Sequence, residues 1–373
     1  MNARTYRLIS ADSHINEPPD LFQNVPNALK EFAPKVVSYE KGDAWIMAPG
    51  AEPRFVSTSA VAGRKKEEYL KEPVTYANMC KGSFDPEARL KDMDIDHLDA
   101  DVMYPGIMRY LERCANDDIR LACANAYNEW MADFCKFNPA RLAGIGVVPM
   151  LDDNGGKNAV EAIKFAAKKG IRSVFLSQRD GGVPLNHPST EAFWTAAEEL
   201  NMPVSIHIHT TPFLRGLKPE QLALMGTKEM GTTTVTLCMS EHMGLMMFGG
   251  VFMRHPKLKV VFAEGGIGWI PAFLERADHV FRVHKPFLGS TITELPSVTF
   301  RKQCYATFQE DVAGIRLRDM MGVETLMWAS DYPHTDTTWP DSKKIIDRTF
   351  TGVPADEKHK MISENAARLY GFK

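Results

Sequence analysis

Cysteine is scarce in this chain: six residues in 373 (Cys80, Cys114, Cys123, Cys135, Cys238, Cys304), never in a CxxC pair. That argues against a disulfide framework or a thiolate zinc site and predicts reduced, structural thiols. A surplus of either charge is missing as well, since 44 Lys plus Arg against 47 Asp plus Glu leave a net charge of −3. Such a surface offers no electrostatic footprint for nucleic acid or an anionic membrane, so a small-molecule substrate is the expected partner. No apolar run is long enough to span a bilayer, and MNARTYRLIS has no apolar leader core, so a cytoplasmic protein is expected. With 44% hydrophobic and 24% charged residues, the chain has the make-up of a globular protein with a sizeable core.

Short β-rich runs alternate with helical patterns along nearly the whole length. The runs are YRLISA, DVMYP, AGIGVVPM, RSVFLSQ, PVSIHIH, KVVFAEGG, CYATF and TLMWASD, eight in all. Between them lie amphipathic stretches such as NAVEAIKFAAKKG, with Gly170 suited to a C-cap, and STEAFWTAAEELN, with Ser189 as an N-cap candidate. Alternating strand and helix imply a parallel sheet with right-handed crossovers, and eight units can close into a (β/α)8 TIM barrel, for which about 250 residues are typical. The surplus falls in residues 20–84, rich in Pro, Gly and charge and containing the hairpin-like DAWIMAPGAEPRFV. A single domain, 1–373, is expected, with 20–84 inserted after the first strand as a lid over the barrel mouth. A second long loop follows the fifth strand.

Barrel chemistry sits where strands end at the C-terminal face. Side chains along a strand alternate with period 2, so Asp12 and His14 share one side, as do His207 and His209. Glu264 closes the sixth run and Asp331 the eighth. A lone strand-terminal aspartate is ordinarily a cap or turn residue, and a lone histidine in an apolar strand is ordinarily a satisfied core residue. Four such residues at one end of different strands, Asp12, His14, His207 and Asp331, instead form a divalent-metal site of two nitrogen and two oxygen donors. Burying them unpartnered would cost several kcal/mol. His334, three residues past Asp331, is open to three roles: partner to a ligand, acid/base group or turn residue. His255, His279, His284 and His359 are expected on exposed helices or turns, and His97 and His187 as structural.

The stretches ISADSHINEP, LNMPVSIHIH, HPKLKVVFAEGGIGWIPAFLERAD, MWASDYPHTDTTWP and NAARLYGF resemble the metal-dependent amidohydrolase superfamily. More narrowly, they are similar to its amidohydrolase-2 branch, which includes aminocarboxymuconate-semialdehyde decarboxylase and related benzoate-type decarboxylases. The resemblance runs from residue 7 to 372 and covers 20–84 poorly. It implies a (β/α)8 barrel with a divalent metal, usually zinc or manganese. Asp12 and His14 would be the first-strand ligands, His207 the fifth-strand ligand, and Asp331 the acid that touches metal and accepts a proton. Two departures stand out. The first motif is Asp-x-His where many relatives have His-x-His or Glu-x-His, and Glu264 stands where the decarboxylases of the branch carry a catalytic histidine.

Three chemistries remain open. Hydrolysis is the simplest: a metal lowers the pKa of bound water toward ~7 while Asp331, helped by Glu264, takes the proton. Non-oxidative decarboxylation would need a proton donor among Asp331, His209 and His334. A third possibility is a dinuclear iron or manganese oxygenase resembling the aminoisobutyrate hydroxylases. The carboxylate-rich set Asp12, Glu264 and Asp331 with His14, His207 and His209 has enough donors for two metals. Arg109, Arg179 and Arg215 could each clamp a substrate carboxylate or simply be solvated, and Trp339 could line the pocket or pack on it. Relatives commonly form dimers, so a homo-oligomer is expected, with a hetero-oligomer of paralogues as the other arrangement.

Overall fold

The computed structural model describes residues 5–68, 71–149, 156–177, 183–208 and 217–373. All eight expected barrel runs are strands: β1 Ile9–His14, β5 Ala100–Tyr104, β6 Leu142–Gly144 with β7 Gly146–Val148, β8 Val174–Leu176, β9 Val204–His207, β10 Val260–Ala263, β11 Cys304–Phe308 and β12 Leu326–Trp328. β6 and β7 are one run broken at Ile145, whose amide donates to Met103 O while Gly146 donates to Ser173 O. That change of partner carries the sheet from the β1–β5–β6 group to the six-stranded group β7 to β12, with every barrel pair parallel. On the opposite side, β12 returns to β1 through loop hydrogen bonds. Asp331 N donates to Asp12 O (3.0 Å), His14 N to Tyr332 O (2.5 Å), and Ser330 N to Ser10 Oγ (2.9 Å). The circle is a TIM barrel.

Its helices form for ordinary reasons. Lys157–Lys169 buries Ala159, Ala162, Ile163 and Ala166, one stripe at i, i+3, i+4 and i+7, and ends on Gly170 at φ 90°. Asn116 caps Asp117–Lys136 by accepting from Ile119 N, and Asp85 caps Pro86–Ile95 by accepting from Ala88 N. Ser189 is not an N-cap: it lies inside a 3-10 turn, Pro188–Thr190, which His187 caps through Nδ1 ahead of the helix Glu191–Glu199. His255 is not exposed either, being buried between Glu191 and Glu198.

The expected insertion lies between β1 and Pro86–Ile95 and contains a small antiparallel sheet, β2 Lys35–Tyr39, β3 Gly42–Ile46 and β4 Arg54–Phe55. β3 and β4 are the arms of the expected hairpin. Val61 N and Ala62 N donate to Pro333 O, which fastens the segment to the loop after β12. Among the described residues, no helix is long and apolar enough to cross a membrane.

One buried cation joins these parts. The Arg89 guanidinium, 1% exposed, meets Asp101 on β5 (2.8 Å), donates to His14 O (2.9 Å), Gly82 O (3.2 Å) and Ser13 Oγ (2.6 Å), and lies 4.4 Å from the Tyr332 ring centroid. Removing one partner of a buried ion pair leaves the other charge uncompensated. Arg89→Met is therefore expected to lose about 3–5 kcal/mol of stability, read as a lowered urea midpoint, and Arg89→Met with Asp101→Leu to recover part of it. An unchanged midpoint in the single variant would remove Arg89 from this role.

Candidate metal centre

Three strand ends and one loop build the site. Asp12 and His14 lie on β1 past an irregularity: Ser10 pairs Asp101 but Ser13 pairs Met103, so β1 carries one extra residue there. His207 ends β9 opposite Ala263, and Glu264 follows β10 directly. Asp331 lies three residues beyond β12. Glu264 and Asp331 both take positive φ, 56° and 53°, a conformation that costs a non-glycine residue about 1–3 kcal/mol and persists only where surroundings enforce it. For Glu264 the enforcement is visible: its amide donates to Thr307 Oγ1 (2.7 Å), and that hydroxyl donates to Asp12 Oδ2 (3.0 Å).

The functional atoms converge. His207 Nε2 lies 2.8 Å from Glu264 Oε2 and 3.8 Å from Asp12 Oδ1, and His14 Nε2 lies 3.3 Å from both Glu264 Oε2 and Asp331 Oδ1 and 3.7 Å from Asp12 Oδ1. Despite this crowding, Asp12 Oδ1, His14 Nε2, His207 Nε2, Glu264 Oε2 and Asp331 Oδ1 are buried with no partner in hydrogen-bond geometry. Buried polar atoms are nearly always paired, so five orphans facing one point are the donor set that a bound cation would satisfy. Donors ~2.0–2.2 Å from an ion would stand at about these separations from one another. The far side of each imidazole is tied back, His14 Nδ1 to Pro105 O and His207 Nδ1 to Ile208 O, both 3.3 Å, leaving Nε2 to face the centre. His334 stacks on His14, ring centroids 3.9 Å apart, with Nδ1 2.9 Å from Asp331 Oδ1.

The donors form two overlapping groups, one of His14, Glu264, Asp331 and His334, the other of Asp12, His14 and His207. These imidazoles and carboxylates also shift each other's proton affinity. Burial opposes a charged His207, but Glu264 and Asp12 outweigh it and lift its pKa to about 10. His14 is raised too, burial being overcome by Asp331 and Glu264. Burial would raise Glu264, yet His207 and His14 hold it well below the usual carboxylate range. Asp331 is likewise lowered against its burial, chiefly by His334, whereas burial depresses His334 itself.

A cavity of about 190 Å³ opens on Asp12, Glu264 and Asp331. A second, about 370 Å³, lies between the insertion and the barrel, lined by Arg54, Ser59, Glu17, Arg109 and Tyr110 among others. Arg54 stacks on Tyr110, 3.4 Å from guanidinium carbon to ring centroid, with Arg109 5.7 Å away. Arg109 holds Tyr110 below its ordinary pKa in spite of burial, with Arg54 adding to the effect. The half-buried Arg109 feels burial against its charge, but Tyr110, Glu264, Asp331 and Glu17 hold its proton more tightly than usual. Among the described residues, no carboxylate forms a direct ion pair with it.

Trp339 stands elsewhere than on these cavity walls. Its indole N–H donates to Asp92 O (2.9 Å) and its ring packs edge-on against Tyr332. His209, Arg179 and Arg215 lie outside the described residues. Glu17 and Arg89 carried no role in the sequence reading, although the Glu-Pro following the Asp-x-His motif was the available signal for Glu17.

The sequence pattern of the amidohydrolase family (Amidohydro_2) matches residues 13–372. A curated relative, 2-amino-3-carboxymuconate-6-semialdehyde decarboxylase of Dictyostelium discoideum, is 26% identical over 265 residues, 67% of each chain. Among solved structures, an amidohydrolase from Mycobacterium avium subsp. paratuberculosis K-10 superposes with a TM-score of 0.73 at 20% identity, covering 100% of this chain and 99% of that one. A 5-carboxyvanillate decarboxylase from Novosphingobium aromaticivorans, solved with manganese and a nitrobenzoic acid, gives 0.70 at 17% identity, covering 98% and 97%. These solved structures corroborate the barrel, and the match over nearly the whole sequence settles the lineage: this chain belongs to the amidohydrolase family.

Proposed function

We propose that this enzyme is a metal-dependent carboxy-lyase that releases CO2, without oxidation, from a small cyclic or conjugated acid carrying a second anionic group. The observation that carries the reading is the set of five orphaned donor atoms, whose carboxylates line the smaller cavity, together with Arg109 of the larger cavity, which feels the charge of Glu264 and Asp331. The decarboxylases named above support the chemistry. The hydrolytic expectation draws on the same donors, and the relative and the solved structure named as decarboxylases favour its alternative.

Asp12, His14, His207 and Asp331 would hold a divalent cation, with Glu264, 16% exposed on its side chain, as a further donor facing the cavity. An oxygen-rich set of this kind suits manganese or iron more than a thiolate zinc site would, and zinc remains compatible with it. When bound, the cation supplies positive charge next to substrate oxygens and stabilises the electron pair left on carbon. Arg54 and Arg109 bind the second anionic group and orient the ring. The insertion, residues 20–84, acts as the lid that keeps water from the cavity. As the C–C bond breaks, its electron pair stays on the ring or conjugated carbon, CO2 departs, and that carbon takes a proton relayed from water through the Asp331–His334 pair.

A dinuclear oxygenase is the second reading, favoured by the two overlapping donor groups. Elemental mass spectrometry on protein isolated without added metal separates the two. About one manganese or zinc per chain is expected, falling below about one tenth of that in His207→Ala with the fold retained by circular dichroism. Two metals including iron would put the oxygenase first.

Because the surrounding carboxylates lift His207 to about 10 and raise His14 as well, loading the site at neutral pH is expected to release at least one proton. Both pKa values lie above the unperturbed value, so affinity should strengthen as pH rises through 6 to 8 and weaken on acidification. Calorimetric manganese titrations in buffers of different ionisation enthalpy measure this directly, and buffer-independent heats would contradict the proposed ligands.

For the reaction, CO2 release from 5-carboxyvanillate, which keeps one carboxylate after losing the other, is the assay. Arg109→Ala is expected to raise KM about tenfold or more, with a smaller change in kcat, because the clamp binds ground state and transition state alike. A lost kcat at unchanged KM would place Arg109 in the chemical step instead.

A further inference from the structure

Glu17 is fully buried three residues beyond His14, and none of the chemistry above uses it. Its Oε1 accepts hydrogen bonds from the amides of Gly106 (3.1 Å) and Met108 (3.0 Å), and its Oε2 from Ile107 (2.7 Å). Three consecutive N–H groups turned toward one anion make a backbone nest, the arrangement that in other proteins cradles a phosphate. Here the anion belongs to the chain itself. The next two residues are Arg109 and Tyr110, the cationic and aromatic wall of the larger cavity.

The approach is tight enough to require glycine at one point. A Cβ on Gly106 would stand 2.4 Å from Ile15 O and 2.8 Å from Glu17 Oε2. The same short segment also gathers the insertion. Tyr76 Oη donates to Glu17 O (2.6 Å) while accepting from Trp45 Nε1 (2.9 Å), and Asn16 Nδ2 donates to Ser59 O (3.0 Å). Asn16 and Glu17 therefore meet both walls of the cavity immediately after the metal-binding end of β1.

We infer that Glu17 is the positioning residue of the substrate-anion subsite: it clamps the Gly106–Met108 turn so that Arg109 is held at a set reach from the metal centre. This rests on the reading of Arg109 as an anion clamp. The side chain has the chemistry for the task, since only a carboxylate presents acceptors alone on both arms. Glutamine would turn an N–H2 group toward an amide donor, and aspartate would stop one methylene short.

The test uses metal-loaded protein carrying Glu17→Gln, Glu17→Asp, Arg109→Ala, and Glu17→Gln combined with Arg109→Ala. Glu17→Asp keeps the carboxylate but stops short of the three amides, and it takes the place of Glu17→Gln should that variant fail to fold. The readouts are metal content, amide exchange at residues 106–110, and the Kd of 4-hydroxy-3-methoxy-5-nitrobenzoic acid followed by its nitrophenol absorbance. Glu17→Gln is expected to keep its metal, to exchange the three clamped amides faster, and to bind the probe about tenfold more weakly, a change of ~1.4 kcal/mol. In the Arg109→Ala background the same change should weaken binding no further, a non-additivity that a merely structural residue would not produce. Equal weakening in both backgrounds, or faster exchange with unchanged Kd, overturns the proposal. If wild type does not bind the probe, the anion-clamp reading of Arg109 fails separately, and unchanged protection of amides 106–108 in Glu17→Gln would still overturn the positioning role.

Discussion

Asp12, Glu264 and Asp331 point carboxylate oxygens at one small, largely buried volume at the wall of the smaller cavity, and everything around them follows from that repulsion. At an effective dielectric near 20, two unit charges 4 Å apart interact by about 4 kcal/mol, so such a cluster cannot persist without positive charge at its centre. Protons on His14 and His207 can supply it, and on the proposed chemistry a divalent cation held by the same donors would do so instead. The left-handed backbone at Glu264 and Asp331 adds strain in the same place. What opposes both is a rigid surround: Thr307 bridging Glu264 N and Asp12, Ser10 and Ser330 closing β12 onto β1, and Arg89 beneath the His14 carbonyl.

How much of this was legible in the sequence depends on whether a feature is local. The strands announce themselves by apolar runs, and Asp12, His14, His207, Glu264 and Asp331 by being polar where such runs stop, so barrel and donor set could both be read from periodicity and position. Ser189 misleads because the competing cap, His187, lies only two residues away and intercepts the amide first. His255 sits in a charged stretch that looks exposed, and only the fold brings Glu191 and Glu198 to its two nitrogens. In the sequence Trp339 is open to lining the pocket or packing on it, and only the fold shows its N–H donating to Asp92 O, 247 positions earlier. Arg89 was unreadable for the same reason, and Glu17 had only the Glu-Pro after the Asp-x-His motif as a signal, since their partners are backbone atoms and strands far along the chain.

The insertion is tied to the centre through few but well-placed contacts. Asn16 and Glu17 meet Ser59 and Tyr76 on one side, and the Pro333 carbonyl takes two amides, Val61 and Ala62, on the other. Both anchors lie within three residues of a proposed ligand, His14 or Asp331. Any motion of 20–84 would therefore be felt first at the strand ends that hold the donors, a coupling by direct contact that needs no longer pathway.

Charge is arranged asymmetrically across the site, and the asymmetry bears on which bond can break. Glu310 and Asp311 join the three donor carboxylates around the smaller cavity, whereas Arg54 and Arg109 wall the larger one. A carboxylate about to leave as CO2 loses its charge on the way to the transition state, so an arginine clamp on that group would stabilise the ground state more and slow the reaction. The arginines are useful to a carboxy-lyase only if they hold an anion that survives the reaction. On the proposed chemistry, the leaving carboxylate therefore points away from Arg54 and Arg109, and the surviving anion is what those residues select.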